Sequence, residues 1–545
     1  MKKYLKNFIL KSEKGQAIIL IAFAFVGLIA MVGLVTDTGL LLIEYGKLKR
    51  SVDAAAIGAA QQYRVESGSD EINKEALENA AINFLNLNQV QNISNVIVNS
   101  CEDTGADRPA LCNPDPVNKP MDNRKLVQVT ASSDVRFGFL RVLGFESITL
   151  TATSVGEAVT LDLVLILDTS AQMSYETGSE GDCTVGANPN TCLRPEADDD
   201  PRICNLASAP NDKYPSKPWI GTCQPLLAVK EVALEFIETM YFPYDRAAII
   251  TFTSQTPGGD RTPVELMPLT SDKDTIIDEI TNIKVFEPQL CDGVATPGEG
   301  SCIRVINGNY INTICEIFEV NPDDPDMDPS SCPSSNIGGT LVRAANALQG
   351  SGDTTKMRPE SFWVVLLLSS GPANATDPDG DGEFPYGYCP RNTWPTYAPE
   401  WVAWCRDAYP STRHDDNDVV ASYYYPPNNT TYTNLSIYDA DDYARDMADQ
   451  LASLISPQGV TIYTIGLGAA VDDLQQIAGN PNVLATNPDT GELEPPPAEA
   501  LLEYIAEEAG GPDINHGQYF FAPDKQSLSA IFDRIAKNIA TKISQ

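Results

Sequence analysis

Hydrophobic and polar positions divide this chain into stretches of distinct rhythm. Ala17 to Val35 reads AIILIAFAFVGLIAMVGLV, an uncharged run close to the ~20 residues that cross a bilayer core of ~30 Å. Beyond it, Leu41, Tyr45, Leu48, Val52, Ala55, Ala56 and Ala59 recur at three- and four-residue steps, which predicts that the helix continues well past the apolar run. The pattern from 63 to 160 is mixed. It predicts a helix over 70–87, strands around 126–131 and 148–154, and a short apolar helix or turn, RFGFLRVLG, over 136–144.

From 161 the rhythm changes again. LDLVLIL (161–167), AAIITF (247–252), FWVVLLL (362–368) and VTIYTIGL (460–467) are nearly continuous apolar runs rich in β-branched residues, which suit strands buried on both faces of a sheet. Helical stretches alternate with them at 225–240, 274–283, 339–348, 439–455, 498–509 and 526–543. Alternating strand and helix predicts a doubly wound, Rossmann-like α/β domain that binds at the strand carboxyl ends. The expected organisation is a basic segment at 1–16, a transmembrane helix at 17–37, a juxtamembrane helix at 38–62, a small α+β stalk at 63–160, and the α/β domain at 161–545. Two long insertions interrupt that last domain, at about 287–336 and 372–436.

Charge sets the topology. Lys2, Lys3, Lys6, Lys11 and Lys14 precede the apolar run against Glu13 alone, so the heavier positive flank stays inside and the bulk of the chain lies outside the cytoplasm. A cleaved signal peptide is the competing reading. The run exceeds an h-region of ~7–15 residues, and no small-residue cleavage site with a polar start follows it. The chain has 37 basic against 74 acidic residues, a field that repels nucleic acid and favours cations or basic partners, or simply keeps an external protein soluble.

All twelve cysteines follow the apolar run and fall into local couples. These are Cys101 with Cys112, Cys183 with Cys192, Cys204 with Cys223, Cys291 with Cys302, Cys315 with Cys332, and Cys389 with Cys405. None makes a CxxC, so disulfides in an oxidising compartment are expected rather than a zinc or redox motif; spacing alone leaves their connectivity open.

Gly15-Gln16-Ala17 entering an apolar helix, then Asp53-Ala54-Ala55-Ala56-Ile57-Gly58-Ala59-Ala60 and later RVLGFESITLTATSVGEA, resemble the TadG-like proteins of Flp (Tad) pilus assembly over roughly 10–158. That resemblance implies pilus-assembly partners. A processed pseudopilin would carry Glu where this chain has Leu20. The first α/β strand runs into Asp168-Thr169-Ser170-Ala171-Gln172, and Gly338-Gly339-Thr340 opens a later helix. With the ending GQYFFAPDKQSLSAIFDRIAKNIA, these resemble the von Willebrand factor type A domain over about 160–543. That family binds Mg²⁺ or Mn²⁺ with an Asp-x-Ser-x-Ser loop, a Thr from a second loop and an Asp after a later strand. Asp168, Ser170 and Thr340 match; Gln172 replaces the second Ser and Ser370 stands in place of the Asp. The resemblance therefore implies a degenerate metal site, either vestigial or still able to coordinate.

A second candidate is DPDGDGE, where Asp377, Asp379, Asp381 and Glu383 alternate around a Gly as in the first half of an EF-hand loop, with Tyr388 where the closing Glu belongs. It predicts structural Ca²⁺, the alternative being a solvated acidic loop. The two histidines, His414 and His516, sit in neither HExxH nor a GxSxG elbow, and no P-loop is present, so an enzyme is not expected. The expected function is a membrane-anchored binding or scaffold protein of pilus assembly or surface adhesion, contacting pilus components or surface ligands. A metal-gated receptor and an external hydrolase are the alternatives.

Overall fold

The computed structural model describes residues 16–63, 74–112 and 124–174, then 204–255, 262–290, 335–377, 440–454, 459–468 and 490–543, apart from isolated positions within them and with a few short pieces between. The chain divides into two compact units, Met1–Ala158 and Val159–Gln545.

In the first unit, α1 (Gln16–Ala60) is one unbroken helix, with no Pro to interrupt it. Its apolar first half is exposed from Ile18 through Val35 except at Ala30 and Gly33, and is long and apolar enough to cross a membrane. Its second half buries Leu48, Val52, Ala55, Ala56 and Ala59. These small residues let other elements come close. α2 (Lys74–Leu87) lays Phe84 against Gly58, and an antiparallel sheet of β1 (Ile93–Ser100), β2 (Lys125–Arg136) and β3 (Ser147–Ala158) packs on the same helix. At Gly156 a Cβ would sit 2.3 Å from the Ala56 carbonyl oxygen, so only glycine allows β3 this near α1. A Cys101–Cys112 disulfide closes the loop after β1.

The second unit is a three-layer α/β/α body. Its six-stranded sheet consists of β4 (Leu161–Leu167), β5 (Arg246–Thr251), β6 (Val264–Thr270), β7 (Phe362–Ser369), β8 (Thr461–Leu467) and β9 (Tyr519–Ala522). The spatial order is β9-β8-β7-β4-β5-β6, all parallel except β6, which pairs antiparallel with β5 at the edge. Apart from that antiparallel edge, the first strand lies at the centre and the chain winds outward to either side, as in doubly wound folds. One face packs on α3 (Leu226–Ile237), α4 (Lys273–Asn282) and α8 (Lys525–Ile543); the other packs on α5 (Ile337–Leu348), α6 (Ala440–Ala452) and α7 (Pro497–Glu507). Asp272 caps α4 by accepting from the Asp274 and Thr275 N–H groups, and Asn336 caps α5 by accepting from Gly339.

Differences from the sequence expectations lie at the edges. The pattern of apolar positions does not predict β1 or β6. β1 buries only Val98 and Ser100 and β6 only Met267, so neither shows a clean alternation along its length. The insertion at 287–336 contains short strands at Gln289–Leu290, Cys302–Ile306 and Asn309–Ile311. Of the six expected cysteine couples, the structure forms two, since Cys204 and Cys223 make a second disulfide beside that of Cys101 and Cys112. The other four couples fall outside the described residues. Cys183 and Cys192, Cys315 and Cys332, and Cys389 and Cys405 lie there entirely, as does Cys291, and of Cys302 only the backbone is described.

Lys230 of α3 is wholly buried. Its ammonium donates to the carbonyl oxygens of Ile220 (2.8 Å), Gly221 (3.1 Å) and Ile283 (3.0 Å) and lies 5.7 Å from the centre of the Trp219 ring. Burial, helped by the charge of Lys284, lowers its pKa to about 7. Above that pH the unfolded chain still binds the proton and the folded chain does not, so stability rises with pH until the ordinary lysine range is reached. From pH 7 to 9 the gain from this group is at most about 2 kcal/mol, because the three carbonyls oppose proton loss. Urea midpoints at the two pH values should therefore converge in Lys230→Met relative to the parent chain.

Candidate functional site

The connection after β4 leaves by α3 on one face of the sheet, and the connection after β7 returns by α6 on the other. β4 and β7 are neighbours, so the topological switch point of the sheet lies between their carboxyl ends, where doubly wound folds bind ligands. Asp168 follows β4 directly and Ser370 follows β7, so the strand lengths themselves bring these side chains to that point.

Asp168 is buried, and its carboxylate ties the two strand ends together. Oδ1 accepts the Ser170 N–H at 2.8 Å; Oδ2 accepts the Ser370 N–H at 2.8 Å and the Ser370 hydroxyl at 2.7 Å. The Asp168 N–H donates to Leu368 O. Next to it, the hydroxyls of Thr169 and Thr253 meet at 2.8 Å, which joins the loop after β4 to the one after β5. Ser170 Oγ is buried and has no hydrogen-bond partner among the described residues.

Of the residues expected here, the structure brings Asp168, Ser170 and Ser370 together. Thr340 lies buried on the first turn of α5, with its hydroxyl donating to Ile337 O at 2.6 Å. Gln172 sits on a short 3₁₀ turn, and its side chain lies outside the described residues. Asp377 packs over the start of α5. It accepts from Asn336 Nδ2 at 2.9 Å and pairs with Arg343, and a Cβ on Gly339 would meet it at 2.5 Å. Burial, with the Asp377 charge beside it, pushes the Tyr443 hydroxyl pKa well up. Asp379, Asp381 and Glu383 lie outside the described residues.

Asn336, Arg343, Tyr443 and Thr253 therefore belong to this region, and reading the sequence does not single them out. Only Asn336, a capping residue just before the glycines, carries a local signal.

Among the described residues, the donor set does not fit a resident Mg²⁺ or Mn²⁺. Asp168 supplies one carboxylate, both of its oxygens already accept protein hydrogen bonds, and Ser370 donates to it rather than adding negative charge. The partnerless Ser170 Oγ is the atom that favours a cation. A calcium ion at Asp377 would have to compete with the Arg343 guanidinium.

No protein-family model matches this sequence, and no curated protein matches it. Solved structures similar to it include the pilus adhesin SpaC from Lactobacillus rhamnosus GG, at 12% identity and TM-score 0.31, covering 77% of this chain and 33% of that one. The vWF domain of the type V pili tip protein Mfa5 from Porphyromonas gingivalis is 14% identical at TM-score 0.31, over 71% of this chain and 97% of that one. The PilB minor pilin from Streptococcus sanguinis is 12% identical at TM-score 0.30, over 77% and 76%. This chain thus spans about a third of SpaC. Likenesses at these scores carry no weight for function.

Proposed function

We propose that this protein is a membrane-anchored, extracytoplasmic binding or scaffold protein of pilus assembly or surface adhesion, with α1 as its single-pass anchor and the second unit as the binding body. The carrying observation is the switch point of the sheet, where Asp168 latches the two central strand ends and leaves the Ser170 hydroxyl unsatisfied. Among the described residues these hydrogen-bonding groups are buried, and Ser170 Oγ is left for a partner to satisfy. The hydroxyls of Ser370 and Thr340 donate to Asp168 and to Ile337 O, and His516 Nε2 lies 3.2 Å from Ala509 O. The exposed apolar half of α1 supports the anchor, and the resemblance to TadG-like proteins supports the pilus context.

The test is crosslinking on intact cells followed by recovery of the tagged full-length chain, with protease shaving of spheroplasts alongside. The expected result is degradation of the second unit from outside and capture of pilus-assembly components. Shaving that spares the second unit would sink the extracytoplasmic reading. A partner set free of pilus components would sink the assembly role.

A further inference from the structure

The connection between β2 and β3, residues 137–146, carries large apolar side chains that the rest of the described unit leaves uncovered. Val142 is 86% exposed, Phe145 61% and Phe139 50%. Loops on an aqueous surface rarely gather such residues, and a patch of this kind marks a contact with something apolar.

The packing of the unit says where that contact lies. Gly156 touches Ala56, Lys49 donates to Thr153 O at 2.8 Å, and the hairpin tip reaches the helix at Asp37 and Gly33. β3 therefore runs beside α1, and its lower-numbered end approaches the apolar run. At the tip the buried Asp37 carboxylate accepts the N–H groups of Gly138 (2.9 Å), Phe139 (3.1 Å) and Leu140 (2.7 Å), which fixes the loop to the helix. Phe139 lies against Gly33, where a Cβ would come within 2.8 Å of the phenylalanine Cβ. Gly33 is two residues inside Val35, the end of the uncharged run, or ~3 Å along the axis at 1.5 Å per residue. The loop is thus held at the level where the hydrocarbon core gives way to headgroups.

We infer that residues 137–146 form a second membrane contact, an interfacial wedge that places Phe139, Val142 and Phe145 in the lipid of the leaflet on the Val35 side of the bilayer. The chemistry suits that occupant. Arg136 and Arg141 are exposed on the same tip, against the single acid Glu146, and can meet lipid phosphates. Asp37, which would be costly in lipid as a bare carboxylate, is instead enclosed by backbone donors. Leu42 and Ile43, beyond Asp37, remain exposed, so the apolar surface of α1 flanks the loop on both sides. The wedge would set the angle and rotation of α1 at the membrane face, which one spanning helix alone leaves free.

This inference rests on α1 being the anchor, and the experiment separates the two. The full-length chain is reconstituted into phosphatidylethanolamine/phosphatidylglycerol vesicles containing tritiated lipid, with a photoactivatable benzophenone side chain at one of three positions. Phe25 reports the anchor, Val142 the wedge and Leu111, exposed at the opposite end of the β2–β3 hairpin, the aqueous control. Lipid labelling at 142 should fall within about twofold of that at 25 and exceed that at 111 by about tenfold, because an interfacial side chain stays in contact with lipid. Labelling at 25 without labelling at 142 overturns the wedge and leaves the anchor standing. So does crosslinking of 142 to a second protein chain in place of lipid. Failure at 25 itself overturns the anchor, and the wedge with it.

Discussion

Replacing Asp162 with alanine is expected to destabilise the second unit by about 3–5 kcal/mol, the usual cost of removing one partner from a buried ion pair. Asp162 is the second residue of β4, at the end of the strand opposite Asp168, and is completely buried. Arg246 grips it with two hydrogen bonds, Nε to Oδ1 at 2.9 Å and Nη2 to Oδ2 at 2.6 Å. Arg358 pairs with it from the other side. Without the carboxylate, two mostly buried guanidinium groups face each other with no counter-charge. Their remaining bonds, to Lys356 O at 2.8 Å and Tyr244 O at 2.9 Å, keep them from swinging out to water. All five tryptophans lie in the second unit, so tryptophan fluorescence during urea unfolding of the detergent-solubilised chain reads this unit alone. The triple change Asp162→Leu, Arg246→Met, Arg358→Leu should recover most of the loss, because it removes the charges together and leaves only the two carbonyls to be satisfied. A single-variant loss below ~1 kcal/mol would show that the triad is solvated in solution, as an exposed pair would be.

That triad also marks the limit of what the sequence could show. The four long apolar runs predicted as strands became β4, β5, β7 and β8 to within a residue or so, and the six helical stretches became α3 to α8 with ends shifted by up to three residues. Strands buried on both faces announce themselves by unbroken hydrophobicity, and helices by their period; neither signal depends on a distant partner. Pairings that do depend on distance left no trace. Asp162 meets Arg246 across 84 residues and Arg358 across 196. Asp377 reads as the opening of a calcium loop because its local neighbours are acidic and spaced by two. In the fold it turns to Arg343, 34 residues away, and to the Asn336 cap. The candidate site was half legible for the same reason. Asp168 and Ser370 stand at strand ends, where position follows from the strand, whereas the hydroxyl direction of Thr340 is set by its own helix turn. The apolar stretch around Phe139 is visible as composition, but its attachment to Asp37, about a hundred residues earlier in the chain, is not.

Asp168→Ala should cost the second unit about 2–4 kcal/mol even with no divalent cation in the buffer, since it orphans the Ser170 and Ser370 N–H donors at a buried site at about 1–3 kcal/mol each, less what entering water restores. The reasoning turns on who the carboxylate's partners are. In a working cation site the acid waits for the ion, and removing it from the empty protein relieves crowding among like charges. Here the acid is already satisfied by three donors from two strand ends, so it serves first as a latch. Asp168→Asn should lose about half as much: its oxygen can still accept from Ser170, while its amide confronts the Ser370 N–H with a donor. The same variants decide between the latch and a metal-gated receptor. Calorimetric titration of the parent chain with Mg²⁺ and Mn²⁺ should give no heat that Asp168→Ala abolishes, and the parent chain's melting temperature should not respond to these two ions. A Mg²⁺ or Mn²⁺ heat that disappears in Asp168→Ala would overturn the latch. It would make Ser170 Oγ, the hydroxyl left without a partner beside Asp168, a ligand for the ion.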